Sequence, residues 1–108
     1  MSNLVLSYNG IDVRNSNDGE MLNLTDMWKA CGSDPSKSPN RWLKTESAIQ
    51  FVEFIEENLK GTNAPFEVIR TLRGGIAPAT WAHWQIGMAY AKYLSHEFHA
   101  HCNSIVRA

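Results

Sequence analysis

The clearest structural pattern in the sequence is AIQFVEFIEENLKG, residues 48–61, which predicts an amphipathic helix. Its apolar residues recur at helical spacing and form one stripe: Ala48, Phe51, Val52, Ile55 and Leu59. The glutamates lie off that stripe, and Gly61 ends the helix. Ser47 and Gln50 fit the S-x-x-Q capping box, so we expect a helix that starts earlier in the chain to be interrupted and to begin again at this point. Such a helix owes most of its stability to burial of its stripe, so the rest of the chain has to cover it.

Two β-hairpins are predicted from turn residues placed between β-prone runs. In LVLSYNGIDVRN the turn dipeptide is Asn9-Gly10, which accepts positive φ at both central positions. The second pair of strands is Phe66–Arg73 and Ile76–Trp81. Pro78 cannot donate a ladder hydrogen bond, so we expect the returning strand to be an edge strand or to contain a bulge.

Helix boundaries complete the order of elements. LNLTDMWKACG predicts a short helix with Thr25 as N-cap and Gly32 as its stop, and Ser38-Pro39 predicts the start of the next. HWQIGMAYAKYL is helical, and Ser95 caps a last helix. The order β-β-α-α-α-β-β-α-α predicts an α+β fold, a single domain with β-hairpins packed on four or five short helices. The last helix runs into the chain end, which suggests that residues 1–108 are the N-terminal part of a longer protein.

Length and composition narrow the class of protein. A chain of 108 residues is expected to form one domain and to bury a core without disulfides. Its two cysteines, Cys31 and Cys102, fit a reducing compartment better than a disulfide scaffold. No apolar run approaches the roughly 18 residues of a membrane span, and the N-terminus lacks the pattern of a signal peptide. These features predict a cytoplasmic protein without a membrane partner.

Charged residues are segregated along the chain, although the formal net charge is only −1. Residues 29–44 contain four basic residues against Asp34, and residues 69–96 contain three basic residues and no acidic one. The intervening segment 45–67 contains five glutamates against Lys60. A surface polarised in this way can present a basic face to a polyanion, although an acidic run is also typical of the solvated side of a helix.

The segment SPNRWLKT predicts a short helix with two different faces. At about 100° per residue, Asn40, Arg41 and Lys44 share one arc. Trp42 and Leu43 point the opposite way, so one face can pack and the other can donate hydrogen bonds. Asn and Arg are the side chains best matched to adenine and guanine edges in a major groove. Two surface helices with ordinary solvated charges are the alternative interpretation.

This helix follows the helix Thr25–Cys31 across a turn-rich connector, which is the order of a helix-turn-helix motif. The connector is longer than the usual three or four residues. Lys37 and Lys44 have the flexible cationic side chains that suit phosphates.

A second basic element is the hairpin around Gly74-Gly75. Arg70 and Arg73 precede the glycines, and no carboxylate is near in sequence to neutralise them. Glycine lets the main chain approach a ligand closely and offer its N–H groups, so the hairpin can lie along a phosphate backbone as the wing of a winged helix does. A plain hairpin, whose glycines serve only the turn, is the alternative.

Five motifs, taken together and in order, resemble the KilA-N domain of phage and large-DNA-virus proteins. They are G-x-x-V-R, NLTDMWKACG, W-L-K, R-G-G followed by T-W-A-H, and A-x-x-L-S-x-E-F. The KilA-N domain is similar in turn to the APSES DNA-binding domain of fungal transcription factors, a winged helix-turn-helix.

The resemblance implies a winged helix-turn-helix-like fold and binding of double-stranded DNA in a phage or prophage regulatory protein, in the bacterial cytoplasm. Thr25–Cys31 would be the first helix, Ser36–Lys44 the recognition element and Arg70–Ile76 the wing. Trp84 and His96 stand where the family has proline. Both lie at helix starts, where proline is an option rather than a requirement.

The predicted DNA-binding residues combine the two basic elements with the end of the first helix. They are Lys29, Ser36, Lys37, Asn40, Arg41, Lys44, Arg70, Arg73, Gly74 and Gly75. No catalytic residue, metal ligand or cofactor is predicted, and the protein is not expected to be an enzyme.

Four other interpretations of the sequence are open. An antirepressor-like module would bind a phage repressor or another protein rather than DNA. A nuclease would need carboxylates near the basic face, whereas the acids cluster in residues 46–57. A zinc site could use His96, His99, His101 and Cys102, with His83 or Cys31. The tryptophans could stack on single-stranded bases: Trp28, Trp42, Trp81 and Trp84. At this spacing they are more often core residues.

Overall fold

The computed structural model of the protein describes residues 6–16, 20–59, 68–72 and 79–106. Within them lie five α-helices, one 3-10 turn and two antiparallel sheets. The strands are β1 (Leu6–Tyr8), β2 (Ile11–Val13), β3 (Met21–Asn23), β4 (Ile69–Leu72) and β5 (Ala79–His83). The helices are α1 (Leu24–Ala30), α2 (Pro39–Leu43), α3 (Glu46–Leu59), α4 (Trp84–Leu94) and α5 (His96–Val106), and the 3-10 turn is Pro35–Lys37. The α+β fold is confirmed.

The first predicted hairpin is confirmed. β1 and β2 pair antiparallel with Tyr8 opposite Ile11. Asn9 and Gly10 both adopt positive φ, 53° and 78°, as the tight turn between two strands requires. The side-chain amide of Asn9 donates to the carbonyl of Ala30 (2.9 Å), which fixes the hairpin on the end of α1.

The second sheet has three strands in the order β3-β5-β4. The sequence did not predict β3, a run of only three residues directly before a helix. Because β3 pairs with β5, with Met21 opposite His83, β5 is the central strand, and the prediction of an edge strand is wrong. The described ladder runs from Ala79, and Pro78, where a bulge was the other expectation, lies outside the described residues.

Side-chain caps explain where the helices begin. Thr25 was predicted to cap α1, which is wrong: Asn23 is the N-cap, and its Oδ1 accepts from Asp26 N (2.9 Å). The capping box at Ser47 is also wrong, because α3 already begins at Glu46 and the Thr45 hydroxyl accepts from Ala48 N (3.3 Å). In both cases a polar residue slightly earlier in the chain satisfies the free N–H groups.

Three other predicted boundaries are confirmed. Ser38 caps α2, with Pro39 at its first position. Ser95 Oγ accepts from Phe98 N (3.1 Å) at the start of α5. Gly32 follows α1 with a φ of 102°, the left-handed conformation that favours glycine after a helix.

The core lies between α1, α4, α5 and the sheets. Its largest fully buried side chains include Tyr90, Phe98, Leu24, Met27, Ile55 and Ile86. The predicted stripe of α3 faces this core, with Ala48 and Ile55 buried and the other three members half-buried. α4 crosses β3 closely: a Cβ added at Gly87 would lie 2.8 Å from Leu22 Cδ1.

Among the described residues, no helix is both long and apolar enough to cross a membrane.

Candidate nucleic-acid interface

Helix α2 separates a buried face from an exposed face. Pro39 and Trp42 are buried, whereas Asn40 and Arg41 are exposed, as is Lys44 directly after the helix. The predicted division of this helix into two faces is therefore confirmed. Two side chains suited to base edges and one suited to phosphates are therefore exposed on this helix or directly after it.

Trp42 anchors α2 to the body of the domain. Its side chain is only 4% exposed, and its ring centroid lies 5.0 Å from that of Tyr90 and 6.3 Å from that of Tyr93, both on α4. Tilted aromatic pairs of this kind are favourable beyond the area they bury. Because α2 is only one and a half turns long, this packing rather than its own hydrogen bonds holds it in place.

The predicted recognition element Ser36–Lys44 consists of two pieces, the 3-10 turn and α2. Ser36 is exposed, and its hydroxyl and N–H both donate to Asp34 Oδ1. These bonds hold the pKa of Asp34 below its usual value. Trp28 Nε1 donates to the carbonyl of Asp34 (2.6 Å), which fastens the connector to α1. The connector is thus an ordered segment.

Lys37 is turned toward α4. Its ammonium nitrogen lies 3.4 Å from the carbonyl oxygen of Leu94 and 5.9 Å from the ring centroid of Tyr93. Its own carbonyl accepts a hydrogen bond from the Tyr90 hydroxyl (2.6 Å). Lys37 therefore helps to fix the connector, and a contact with phosphate would require its side chain to leave Leu94.

Three basic side chains of this region are free to interact with a ligand. Lys29, in the last turn of α1, is exposed, as are Arg41 and Lys44. None of the three forms an ion pair with any residue that the structure describes. Their positive charge is therefore not neutralised locally.

An ion pair that the sequence did not predict holds α1 against the first hairpin. Arg14 Nε and Nη2 donate to the two carboxylate oxygens of Asp26 (2.8 and 3.1 Å), and Arg14 N donates to Oδ2 (3.0 Å). Asp26 is 6% exposed, so the pair is shielded on the carboxylate side and exposed on the guanidinium side. The carboxylate raises the pKa of Arg14 still further above neutrality. The only sequence indication was that both residues lie in motifs shared with the KilA-N domain.

Helix α1 is also joined to the second sheet. Thr25 Oγ1 accepts from Thr80 N (3.2 Å), and the Arg14 guanidinium lies 5.9 Å from the ring centroid of Trp81. β4 pairs with β5, with Leu72 opposite Ala79. The β4–β5 pair is therefore fixed to α1 through β5.

In the comparison with protein-family models, residues 5–108 match the KilA-N domain. This covers almost the whole chain. The protein belongs to the KilA-N family. KilA-N is a family of DNA-binding domains. The comparisons with curated proteins and with solved structures gave no match.

The tip of the predicted wing in this KilA-N domain lies outside the described residues. Arg73, Gly74 and Gly75 belong to that stretch. The backbone of Arg70 is described, opposite Trp81 in the β4–β5 ladder, but its side chain is not. The antiparallel pair that would carry the wing is present, and its contact with DNA stays a prediction.

Two of the residues considered as zinc ligands, His101 and Cys102, have other surroundings in the KilA-N domain. His101 Nε2 lies 2.7 Å from the carbonyl oxygen of Ser7 in the first hairpin. Cys102 is fully buried, and burial raises the pKa of its thiol to about 12. Within the described ranges no group of three potential ligands converges.

The tryptophans divide by exposure. Trp42 is buried, and Trp28 and Trp81 are half-buried, in keeping with the expected core role. Trp84 is 38% exposed at the start of α4, with its ring stacked on His83.

Proposed function

We propose that the domain binds double-stranded DNA by placing the exposed face of α2 in the major groove. The observation that carries this proposal is the opposition of Trp42, locked against α4, to Asn40 and Arg41, which are exposed. A helix fixed from behind presents its side chains without a large entropic cost of ordering the backbone. Family membership supports the same activity.

The chemistry of the two side chains fits base recognition. A guanidinium can donate two parallel hydrogen bonds to a guanine edge, and an Asn amide can pair in two places with adenine. Each such contact discriminates against the wrong base by about 1–3 kcal/mol. Lys44 directly follows α2 and Lys29 is exposed in the last turn of α1, and both would contact phosphates, which position the protein without reading sequence.

The β4–β5 hairpin would add a wing along the backbone. Thr80 of β5 is hydrogen-bonded to α1, so the hairpin and the helices would approach the duplex together. Arg70 and Arg73 supply its charge, and Gly74 and Gly75 would allow close approach of the main chain. We assign this module to a phage or prophage regulatory protein on the family resemblance alone, and to binding rather than catalysis.

A titration of the protein into a labelled random duplex, followed by fluorescence anisotropy at several salt concentrations, tests the proposal. Phosphate contacts by Lys29 and Lys44, with up to two more from the wing arginines, predict a slope between about −2 and −4 in a plot of log K against log salt, because each phosphate contact contributes about 0.9. A single strand of the same sequence should bind more weakly. Absence of duplex binding at low salt, or a salt-independent affinity, would contradict it.

A second candidate function is the binding of a protein, as an antirepressor-like module. The observation that favours it is the solvent-exposed side of α3, where Ile49 is 45% exposed and Phe54 58% exposed. Large apolar side chains this exposed are found at protein contacts. Binding of a repressor through them would survive high salt, whereas DNA binding would not.

A further inference from the structure

A cleft lies beside α2, on the side turned away from Asn40 and Arg41. Its volume is about 440 Å³, and its walls come from α2, α3, α4 and the start of α5. Three aromatic side chains are among its lining residues: Trp42, Phe51 and Tyr93. Tyr93 is 39% exposed here, so a flat molecule can reach its ring.

The polar groups at this cleft are positive or neutral. Lys92 and His96 line it together with Ser47, and none of the described lining residues is acidic. The Lys92 ammonium is exposed and forms no ion pair within the described ranges. The cleft therefore combines an aromatic surface with an unneutralised cation in a chain whose net charge is negative.

This combination selects a class of ligand. A cleft of this volume falls in the range of about 300–1,000 Å³ that small-molecule sites occupy. Aromatic rings favour a planar apolar ligand. An unpaired ammonium favours a ligand that has a carboxylate, sulfonate or phosphate at the edge of its ring. We propose that the cleft binds a small planar organic anion, with its ring against Phe51 and Tyr93 and its anionic group on Lys92. This site is separate from the DNA-binding face and does not depend on it.

The test uses anilinonaphthalene sulfonate, a planar aromatic anion whose fluorescence rises in apolar surroundings, and its neutral parent, phenyl-naphthylamine. The sulfonate should bind the folded protein more tightly than the neutral dye. Lys92→Gln should weaken the sulfonate about two- to fivefold, the size of one solvent-exposed charge contact, and leave the neutral dye unchanged. The double variant Ile49→Ser/Phe54→Ser is the matched control, since it removes exposed apolar surface outside the cleft, and it should bind both dyes normally.

The indole N–H resonances of the tryptophans locate the dye independently. In a nitrogen-15 correlation spectrum the Trp42 signal should shift on titration, while the signal of Trp84, more exposed but outside the cleft, should stay in place. Three results would overturn the proposal: a shift of Trp84 without Trp42, loss of binding in the Ile49/Phe54 variant but not in Lys92→Gln, or displacement of the dye by duplex DNA. The last result would make the cleft part of the DNA interface. It would contradict the cleft proposal without contradicting the proposal that the protein binds DNA.

Discussion

Replacing Trp42 with alanine tests whether α2 is held from behind by the aromatic cluster. The side chain is 4% exposed and packs on Tyr90 and Tyr93. Truncating a buried aromatic residue costs about 3–5 kcal/mol, the sum of lost transfer free energy and the cavity left behind. Trp42 lines the open cleft, where water can fill the new space, so we expect the lower end, about 3 kcal/mol.

This loss is a large part of the stability of a small domain, which totals roughly 5–15 kcal/mol. Urea unfolding followed by far-ultraviolet circular dichroism measures it. For a urea m-value of about 1–3 kcal/mol per molar, the midpoint should fall by about 1–3 M.

Arg41→Ala is the matched control, because Arg41 is the adjacent residue on the exposed face of the same helix. Its unfolding free energy should stay within about 0.5 kcal/mol of the parent protein. A Trp42→Ala protein as stable as the parent, or an Arg41→Ala protein that loses more stability than Trp42→Ala, would refute the assignment of the two faces.

Three further outcomes are expected. Gly10→Ala should destabilise the domain by about 1–2 kcal/mol in the same urea assay, because Gly10 has a φ of 78° and a Cβ is strained there; an unchanged midpoint would contradict this turn geometry. Burial lowers the pKa of His83, so the unfolded chain takes up a proton first, and the unfolding free energy should fall as the pH drops through about 6.5. His83→Asn, which keeps a capping side chain, should show a smaller fall, and equal pH profiles for the two proteins would show that His83 is not responsible. Arg70→Ala combined with Arg73→Ala should flatten the salt dependence of duplex binding by up to about two units, about equally for specific and random DNA; an unchanged slope would remove the wing from the interface.

Local patterns predicted the parts of the fold that depend on neighbouring residues. The spacing of apolar residues gave the buried face of α3 and the two faces of α2, because helix geometry alone decides which side chains share a side. Asn9-Gly10 gave the first hairpin, since few other dipeptides accept two positive φ values.

Features that depend on contacts distant in sequence were missed. β3 is three residues long, which is too short to show an alternating pattern in the sequence. It is a strand because it pairs with β5, with Met21 opposite His83. Without β3, β5 could not be recognised as a central strand, and Asn23, the last residue of β3, could not be recognised as the cap of α1.

The candidate site shows the same division. Exposure of Asn40 and Arg41 followed from helix geometry. The inward direction of Lys37 could not be predicted, because its partner, the carbonyl of Leu94, is a tertiary contact. The bidentate pair of Arg14 and Asp26 was missed for the same reason, although it fixes the helix that precedes the recognition element.

Duplex binding by the exposed face of α2 is tested most directly by comparing the DNA affinities of Arg41→Ala and Lys92→Ala in one titration series, on a duplex first selected from a random pool for tight binding to the parent protein. Each substitution removes one positive charge from an exposed position, but only Arg41 lies on α2. We expect Arg41→Ala to lose about 1–3 kcal/mol of binding free energy, about 5- to 150-fold in affinity, and Lys92→Ala to bind nearly as the parent does. Equal losses in the two variants, or no loss in Arg41→Ala, would contradict the proposed interface.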